Sequence, residues 1–517
     1  MGKAEQETEH LFKHNSPSDL DPNPAPDLKS GSDSTPWFRH PLTLVLEPIE
    51  WIRSLSSQLN PSLIAGIFLV YGLSHGFAGS YFKVASDFYW KDVQRVNPSV
   101  VQLFWGFYYI PWVLKPVWGI LTDVFPVSGY HRRPYFIIAG VIGGVSALSL
   151  ALIQHLSSAV ALGWMVGVKT GMAIGEVTID ACIARKSIEL KALAPDMQSL
   201  CGLSSSTGSL VGYLASGVFV HKLGAQEALG LLTVSPAAMV ILGMLIYELR
   251  AVNRESSSLN KLVNAIGDMA RTIKRPEVWR PSLYMYLSLA LSISTHEGQF
   301  YWYTNPNSGP SFSQEFVGMM YAVGALASIV GVFIYHKFLK DFPFRTLIFS
   351  VQLLYGVTGM LDVIFILRWN LTLGIPDYVF VIVEECVSHI ISRVRWMPML
   401  VLSTRLCPVG IEGTFFALLM CIDSVGSLSA KWAGGLLLHV LHVSRTDFTS
   451  LWLVVLIRNI LRIGTLGFIF LIPCGDRNDD FIPADILGME SLDVEIVGGD
   501  DDEKTLELVA LKHDIQV

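Results

Sequence analysis

Charged residues are scarce in this sequence, and their scarcity excludes most classes of soluble protein. Asp, Glu, Lys and Arg make up 16% of the 517 residues, whereas soluble domains carry about 25%. The hydrophobic set makes up 51%, and the mean hydropathy is +0.46. Such a chain lacks the polar surface of a soluble multidomain enzyme. Its formal net charge of −7 also argues against a nucleic-acid-binding protein.

Paired cysteines and enzyme signatures are missing as well. None of the six cysteines forms a CxxC motif, so we expect neither a disulfide framework nor a zinc site. The chain has no Walker A loop, GxSxG, HExxH or strand-associated GxGxxG motif. The first forty residues hold no apolar stretch, so no cleavable signal peptide is expected. We therefore predict a protein that is not an enzyme and has no cofactor or bound metal.

The acidic residues concentrate in the two tails of the chain. Residues 1–40 sum to −3 and residues 474–517 to −10, so the remainder carries +6. Acidic segments with few apolar residues cannot bury enough surface to fold. We predict a disordered tail over 1–50 and another over 474–517.

Long apolar runs fill the body of the chain. A membrane-spanning helix needs about 20 mostly apolar residues. Twelve stretches meet this need, which predicts an all-α integral membrane protein. They lie near residues 62–82, 99–121, 135–155, 158–181, 198–220, 229–249, 281–303, 314–336, 345–367, 376–402, 410–438 and 449–472.

The basic residues between these spans predict the orientation. The even-numbered loops hold sixteen Lys and Arg residues, and the odd-numbered loops hold six. Because basic loops stay on the cytosolic side, both termini and the middle loop are expected to face the cytosol. Within the middle loop, 250–279, apolar and basic residues recur at helical spacing. They predict either an amphipathic helix on the membrane surface or a plain connecting helix.

The middle loop divides the spans six and six, over 51–249 and 280–473. Two pseudo-symmetric six-helix bundles joined by a cytosolic loop are the architecture of the major facilitator superfamily, in which the two bundles rock around a midplane site. This is the predicted fold class, and we expect a monomer in the lipid bilayer.

A short motif follows span 2. The span ends with Gly119 and Asp123, and the next turn carries Arg132 and Arg133. A glycine allows a neighbouring helix to approach closely, and carboxylate and guanidinium groups form charge-assisted bonds. We expect these four residues to form part of a cytosolic gate.

Ionisable residues inside the spans mark paths through the protein, because they are costly in lipid. Span 4 places Glu176 and Asp180 four residues apart, on one helical face. The pair titrates protons or binds a cation, or it is a structural partner of the turn that holds Arg133. We favour the structural role for Asp180 and a transport role for the deeper Glu176.

Span 10 carries a second ladder of charged groups. Glu385, His389 and Arg393 recur at every fourth residue, whereas Glu384 and Arg395 lie off that face. The ladder lines a transport path, or it is an internal set of salt bridges without substrate contact. Span 11 raises the same question with Asp423, Ser427 and Lys431. The cationic face of Arg458 and Arg462 in span 12 has no assigned role.

An aromatic run surrounds the lysine of span 2. Lys115 follows a stretch that includes Tyr108 and Trp112. Aromatic rings and a cation can together stack on a flat ring and hold an anion, although such stripes more often face lipid or the core. His296 and Glu297 in span 7 are weaker candidates for the same purpose.

These motifs resemble the signature of the folate–biopterin transporter family, and especially its plant members. The resemblance rests on Tyr108–Asp123, the following Arg132–Arg133, Tyr71–Phe77 in span 1 and Glu176–Ala181 in span 4. It covers about residues 50–473 and is most specific in the first five spans.

The resemblance implies a facilitator fold that carries folates or pterins, with proton symport. A folate has a flat pteridine, whose aminopyrimidine edge suits a carboxylate, and a glutamate tail, whose carboxylates need cations. The residues whose motif and position both agree with the family are Lys115, Asp123, Arg132, Arg133, Glu176 and Asp180. With the membrane charges above, the predicted substrate contacts are Lys115, Glu176, Arg393, Lys431, Tyr108 and Trp112. The predicted proton-coupling residues are Glu176, Glu385, His389 and Asp423.

Two other functions stay open from the sequence. One is a facilitator of another organic anion or small metabolite, because members of one transporter fold carry different cargo. The other is a non-transporting membrane receptor or scaffold, for which the membrane charges would be dispensable.

Overall fold

The computed structural model describes residues 53–56, 58–190, 193–248, 274–339, 342–405 and 412–472. The chain divides into two compact units, Met1–Gln58 and Leu59–Val517. All the features below lie in the second unit. The predicted tails over 1–50 and 474–517 and the predicted amphipathic helix of the middle loop lie outside the described residues.

The described part of this unit is helical. Sixteen helices are numbered here in chain order. They are α1 Pro61–Val93, α2 Pro98–Phe107, α3 Ile110–Val113, α4 Lys115–Val124, α5 Arg133–Leu152, α6 Ser158–Glu189, α7 Ala194–Leu223, α8 Ala225–Leu245, α9 Pro276–Ala290, α10 His296–Tyr303, α11 Gln314–Leu339, α12 Phe344–Ile366, α13 Trp369–Thr372, α14 Asp377–Arg405, α15 Glu412–Val440 and α16 Leu451–Leu471.

Seven helices of the described part are long and apolar enough to cross a membrane: α1, α5, α6, α8, α11, α12 and α16. The exposed face of α5 shows the expected lipid-facing pattern, with Val141, Val145, Leu148 and Leu152 at helical spacing and each about half exposed or more. The prediction of a multi-pass helical membrane protein is confirmed. The other five predicted spans coincide with α2–α4, α7, α9–α10, α14 and α15, which are broken or richer in polar residues.

The first helix is longer than the predicted span 1. It runs for 33 residues to Val93. Lys83 and Lys91, which the predicted bounds of spans 1 and 2 leave in the loop between them, therefore lie in the helix. A π-helical segment over Phe68–Ala78 interrupts it. Such segments widen the helix and often occur at functional sites. Here the segment carries Tyr71 and His75 towards α6.

Helix breaks also occur inside predicted spans 2 and 7. Pro111 and Pro116 stand in the first turns of α3 and α4, because proline cannot continue a helix without losing a hydrogen bond. In span 7 the break runs over residues 291–295, between α9 and α10. Irregular backbone at membrane depth is tolerated where it lines a cavity, and Ser292, Ser294 and Thr295 do so here.

Close helix packing joins the residues before and after the segment 249–273, which we call the N-terminal and C-terminal halves. Helix α7 packs along α11, and α2 packs along α15. Gly217 and Gly318 face each other at the α7–α11 crossing. A Cβ atom on Gly318 would lie 2.9 Å from Cα of Gly217 and 2.7 Å from the carbonyl oxygen of Tyr213. Small residues at such crossings let two backbones approach.

Hydrogen bonds tie the two halves together at the end where α1 and α10 finish. The Lys91 ammonium donates to Thr304 Oγ1 over 2.7 Å, and the Tyr301 hydroxyl donates to the Val96 carbonyl over 3.0 Å. The Arg445 guanidinium donates to the Lys91 carbonyl over 3.0 Å. The molecule is therefore held together across its halves at this end.

Candidate functional site

A cavity of about 470 Å³ lies between the helices of the two halves. Its volume falls in the range of small-molecule sites, about 300–1,000 Å³. The C-terminal half supplies most of the lining, and the N-terminal half adds Lys83, Tyr109 and Tyr213. The charged lining residues are Lys83, Arg395, Lys431, Arg458, Arg462, Asp362, Glu384 and Glu385, and the aromatic ones include Tyr109, Tyr213, Trp302, Tyr303, Tyr321 and Tyr355.

Two arginines flank one aromatic ring in the wall of this cavity. The guanidinium groups of Arg395 and Arg462 lie 4.8 Å and 4.2 Å from the ring centre of Tyr355. Arg395 donates to Gln352 Oε1 over 2.6 Å and to the Ser288 carbonyl over 2.7 Å. Within the described residues neither arginine has a carboxylate partner, and Arg462 Nε is buried without any hydrogen-bond partner. The pair forms a cationic wall, in which Arg462 has an unused donor.

The neighbouring Arg458 is neutralised, in contrast. It is buried and forms an ion pair with Asp362. Its Nη1 atom donates to Thr295 Oγ1 and Gln299 Oε1, each over 3.1 Å, and its Nε atom donates to Asn459 Oδ1 over 3.3 Å. This arginine therefore joins α16 to α10 and α12 and has little capacity left for a ligand.

The predicted pair of span 10 lies in the cavity wall. His389 Nε2 is 2.9 Å from Glu385 Oε1, and His389 Nδ1 is 3.2 Å from Ser328 Oγ. A carboxylate bonded to an imidazole can share one proton between them. Lys431 of span 11 also lines the cavity and donates to Ser294 Oγ over 3.0 Å.

The cavity face of α14 is rotated relative to the predicted ladder. Glu384, Ser388, Ser392 and Arg395 line the cavity, whereas Arg393 does not, and its guanidinium packs 5.4 Å from the ring centre of Trp396. At 3.6 residues per turn, residues 384 and 395 lie within about 20° of each other around the helix axis. Residue 393 lies about 180° from residue 384, on the opposite face of the helix. A ladder of every fourth residue drifts around the helix, which is why the sequence favoured Arg393 over Arg395.

A separate buried network surrounds the predicted carboxylate of span 4. Glu176 accepts hydrogen bonds from Lys115 Nζ over 2.8 Å and from Trp112 Nε1 over 3.0 Å, and His75 Nδ1 lies 3.3 Å away. One turn along, Asp180 accepts a bond from the Tyr71 hydroxyl. The two acidic residues of α6 thus face two residues of the π-helical segment of α1. The structure brings together Lys115, Trp112 and Glu176, outside the cavity lining.

The expected contact between Arg133 and Asp180 is replaced by other bonds at the turn after span 2. Glu248, three residues after the end of α8, accepts bonds from the backbone N–H groups of residues 131–133 over 2.8–3.1 Å. Arg133 donates to the carbonyls of Gly243 and Met244, and Arg132 donates to Thr122 Oγ1 over 2.7 Å. The side chain of Asp123 lies outside the described part of the chain.

The other predicted residues have weaker links to the cavity. Tyr108 is fully buried, accepts a bond from Trp90 Nε1 over 2.9 Å and lies 3.0 Å from Met165 Sδ. Among the described residues, a Cβ atom on Gly119 would come within 4 Å of Val177 Cγ1 alone, at 4.0 Å, so no close contact requires glycine here in this conformation. Asp423 lies one turn before the lining residue Ser427 and does not line the cavity itself.

Sequence reasoning missed several lining residues for identifiable reasons. Hydropathy falls before α1 ends and therefore predicts a loop at Lys83. Arg458 and Arg462 carried a signal, two cations four residues apart in a span, but their partners come from distant parts of the chain. No local pattern indicated that Tyr355 lies between Arg395 and Arg462.

Comparison with known proteins gives consistent results. A model described as the BT1 family matches residues 75–485. "Probable folate-biopterin transporter 6" of Arabidopsis thaliana is 58% identical over 86% of this chain and 90% of that protein. "Folate-biopterin transporter" of Synechocystis is 29% identical over 76% of this chain and 78% of its own length. Among solved structures, the nucleoside transporter NupG is similar with a TM-score of 0.61 at 11% identity, over 80% of this chain and 99% of that one.

Proposed function

This chain belongs to the BT1 family, and on that premise we propose that it moves folates or pterins across a membrane by alternating access. The family and its named relatives are transporters and not enzymes. The structural likeness to NupG supports a facilitator-type fold.

The charge of the cavity is the observation that carries this proposal. Its lining contains five lysines and arginines against three carboxylates. The surplus of two positive charges matches the two carboxylates of a folate's glutamate tail. The tyrosines and Trp302 offer flat faces for the pteridine, and Glu384 or Glu385 can accept hydrogen bonds from its aminopyrimidine edge.

Within this function, the cationic wall of Arg395 and Arg462 holds the carboxylates of the substrate, together with Lys431. Neither guanidinium group has a carboxylate partner among the described residues, and planar guanidinium groups bind carboxylates through two parallel bonds. Lys115, Glu176, Trp112, Tyr108 and Arg393, predicted as substrate contacts, lie outside the lining in this conformation. Alternating access would bring them to the substrate only in another state of the transport cycle.

The architecture we propose is the twelve-span facilitator arrangement, with bundles over 51–249 and 280–473. The helices that coincide with all twelve predicted spans support it. Both termini then face the cytosol, so the bonds between Lys91, Thr304 and Arg445 close the opposite, outer end. Thr122, Arg132, Arg133 and Glu248 lie at the cytosolic gate, where Asp123 is also expected.

Proton coupling is part of the proposal, and the bonded pair of Glu385 and His389 supports it from the cavity wall. The remaining sequence candidates, Glu176 and Asp423, lie outside the lining. A facilitator that carries an anion against its gradient needs a driving ion, and a proton can be held where a carboxylate and an imidazole share it.

Uptake into reconstituted vesicles tests the proposed function. We expect labelled folate, methotrexate and biopterin to accumulate in vesicles that contain the protein when the outside is acidic, and not in protein-free vesicles. Collapse of the pH gradient should abolish accumulation while exchange of internal for external substrate continues. Accumulation of an unrelated organic anion but of no pterin would favour the other facilitator function. If no solute moves, the receptor or scaffold function gains support.

A further inference from the structure

Two fully buried carboxylates meet where α1 contacts α10, beside the cavity. Asp87 comes from the N-terminal half and Glu297 from the C-terminal half, and neither side chain is exposed. The Phe88 and Phe300 rings pack edge to face at the same contact, with centres 5.0 Å apart. A contact between halves has to change whenever the cavity opens on that side.

Asp87 has a full set of partners. It accepts bonds from Trp105 Nε1 over 3.2 Å and from Lys83 Nζ over 3.4 Å, and His296 Nε2 lies 3.7 Å from its Oδ2 atom. Lys83 Nζ is in turn 2.7 Å from His296 Nε2. The negative charge of Asp87 is therefore compensated by the ammonium group one turn before it.

Glu297 lacks such partners. Its backbone N–H donates to Gln102 Oε1 over 3.1 Å, but both carboxylate oxygens are buried without a hydrogen bond from any described residue. The charged or titratable groups that face it are Lys83 and Asp87 of α1, His296 beside it in the chain, Lys431 of α15, and Tyr108, Tyr301 and Tyr303. The nearby Trp105 indole N–H donates to Asp87. An ionised carboxylate costs far more to bury unpaired than a neutral one.

We propose that Glu297, next to Asp87, binds the driving proton of the transport cycle. This inference rests on the proposed transport function. Asp87, His296 and Glu297 each place one oxygen or nitrogen atom within 4.8 Å of the other two. This spacing would also suit a metal ion. The Lys83 ammonium, however, already occupies the space between Asp87 and His296 and repels a second cation.

The site of Asp87 and Glu297 adjoins the substrate cavity. Lys83 and His296 line the cavity and also lie beside these two carboxylates. Proton binding to the Glu297 carboxylate forms one O–H bond, and proton release breaks the same bond. No other covalent bond changes. Parting of α1 and α10 wets Glu297 and lets the proton exchange. In the closed state the protonated, neutral Glu297 lets the halves stay in contact. The protonation of Glu297 is thereby coupled to the side of the membrane on which the cavity opens.

The variant Glu297→Gln keeps the shape of a protonated carboxyl and cannot release a proton. In reconstituted vesicles we expect pH-driven folate accumulation to fall about 10-fold or more, to equilibration. Exchange of labelled for unlabelled folate without a gradient should stay within about 3-fold of the unaltered protein, because exchange does not require deprotonation. Glu315→Gln, an exposed carboxylate on α11, is the matched control and should leave both assays unchanged. Glu385→Gln tests the sequence candidate in parallel.

Full accumulation by a folded Glu297→Gln protein would overturn the inference while leaving the proposed function intact. So would equal loss of accumulation and exchange, which would indicate a structural role. Accumulation by the unaltered protein that follows a sodium gradient without a pH gradient would overturn the proton assignment. If the unaltered protein moves no pterin, a labelling experiment tests the inference independently of transport. It uses an apolar carbodiimide, which reacts with protonated carboxyls. Glu297 should be modified at low pH and spared at high pH, and absence of modification throughout would overturn the inference.

Discussion

Replacing Lys115 with methionine is expected to lower the free energy of unfolding by about 3 kcal/mol, because it leaves Glu176 charged and buried without its main partner. Lys115 Nζ lies 2.8 Å from Glu176 Oε1, and both side chains are largely buried. Removing one partner of a buried ion pair costs about 3–5 kcal/mol. The Trp112 indole and His75 remain near the carboxylate, so we expect the loss of stability to lie at the lower end of that range. Thermal and denaturant unfolding of the purified protein in detergent measure the effect.

Two further variants isolate the cause of this loss. The double variant Lys115→Met with Glu176→Gln removes both charges and should recover most of the stability. Lys169→Met is the matched control, because Lys169 is buried over the Phe82 ring at 4.1 Å and has no carboxylate partner among the described residues. It should be neutral or stabilising. A double variant no more stable than Lys115→Met would show that lost packing, and not the orphaned charge, is responsible.

The stable double variant also tests the predicted substrate role of Lys115. If the ammonium meets the glutamate tail in another state of the cycle, folate uptake should fall more than biopterin uptake, because biopterin has no carboxylate. Equal effects on both substrates would leave Lys115 with a structural role alone.

Hydropathy and motif reading predicted the helical membrane fold, because both depend on local sequence. A stretch of about 20 apolar residues has few alternatives to a spanning helix. The same holds for Glu176 and Asp180, which share a helical face by spacing alone. Their partners did not follow from the sequence: Tyr71 and His75 lie in a π-helical segment of α1, which no hydropathy pattern indicates.

The site in the C-terminal half was harder to predict for a geometric reason. On α14 the sequence predicts Glu385, His389 and Arg393 as one ladder, and the structure places the first two in the cavity lining and Arg393 outside it. The sequence predicts Glu297 as a weak candidate and does not predict Asp87, because hydropathy places the end of span 1 near residue 82. Contacts between the N-terminal and C-terminal halves form both the cavity and the contact between Asp87 and Glu297. A single sequence does not indicate which distant residues make such contacts.

Substitution of the cationic wall is expected to separate the two substrate classes. Arg395→Gln or Arg462→Gln should each raise the half-saturating concentration of folate by roughly 10- to 100-fold, the effect of one lost charge-assisted hydrogen bond. Biopterin should change by less than about 3-fold, since it has no carboxylate for these guanidinium groups. Arg395→Lys keeps the charge without the planar pair of donors and should lie between. Concentration-dependent exchange in vesicles measures both substrates without a driving gradient.

The arginine two residues earlier on the same helix provides the control. Arg393 packs against Trp396 outside the cavity lining, so Arg393→Gln should leave both substrates within about 3-fold of the unaltered protein. A folate-specific loss for Arg393→Gln that exceeds the loss for Arg395→Gln would support the sequence-based ladder and contradict the cavity described here. If every one of these variants impairs folate and biopterin alike, the guanidinium groups organise the helices instead of binding carboxylates. The surplus of positive charge would then have to be explained by a substrate contact common to both molecules.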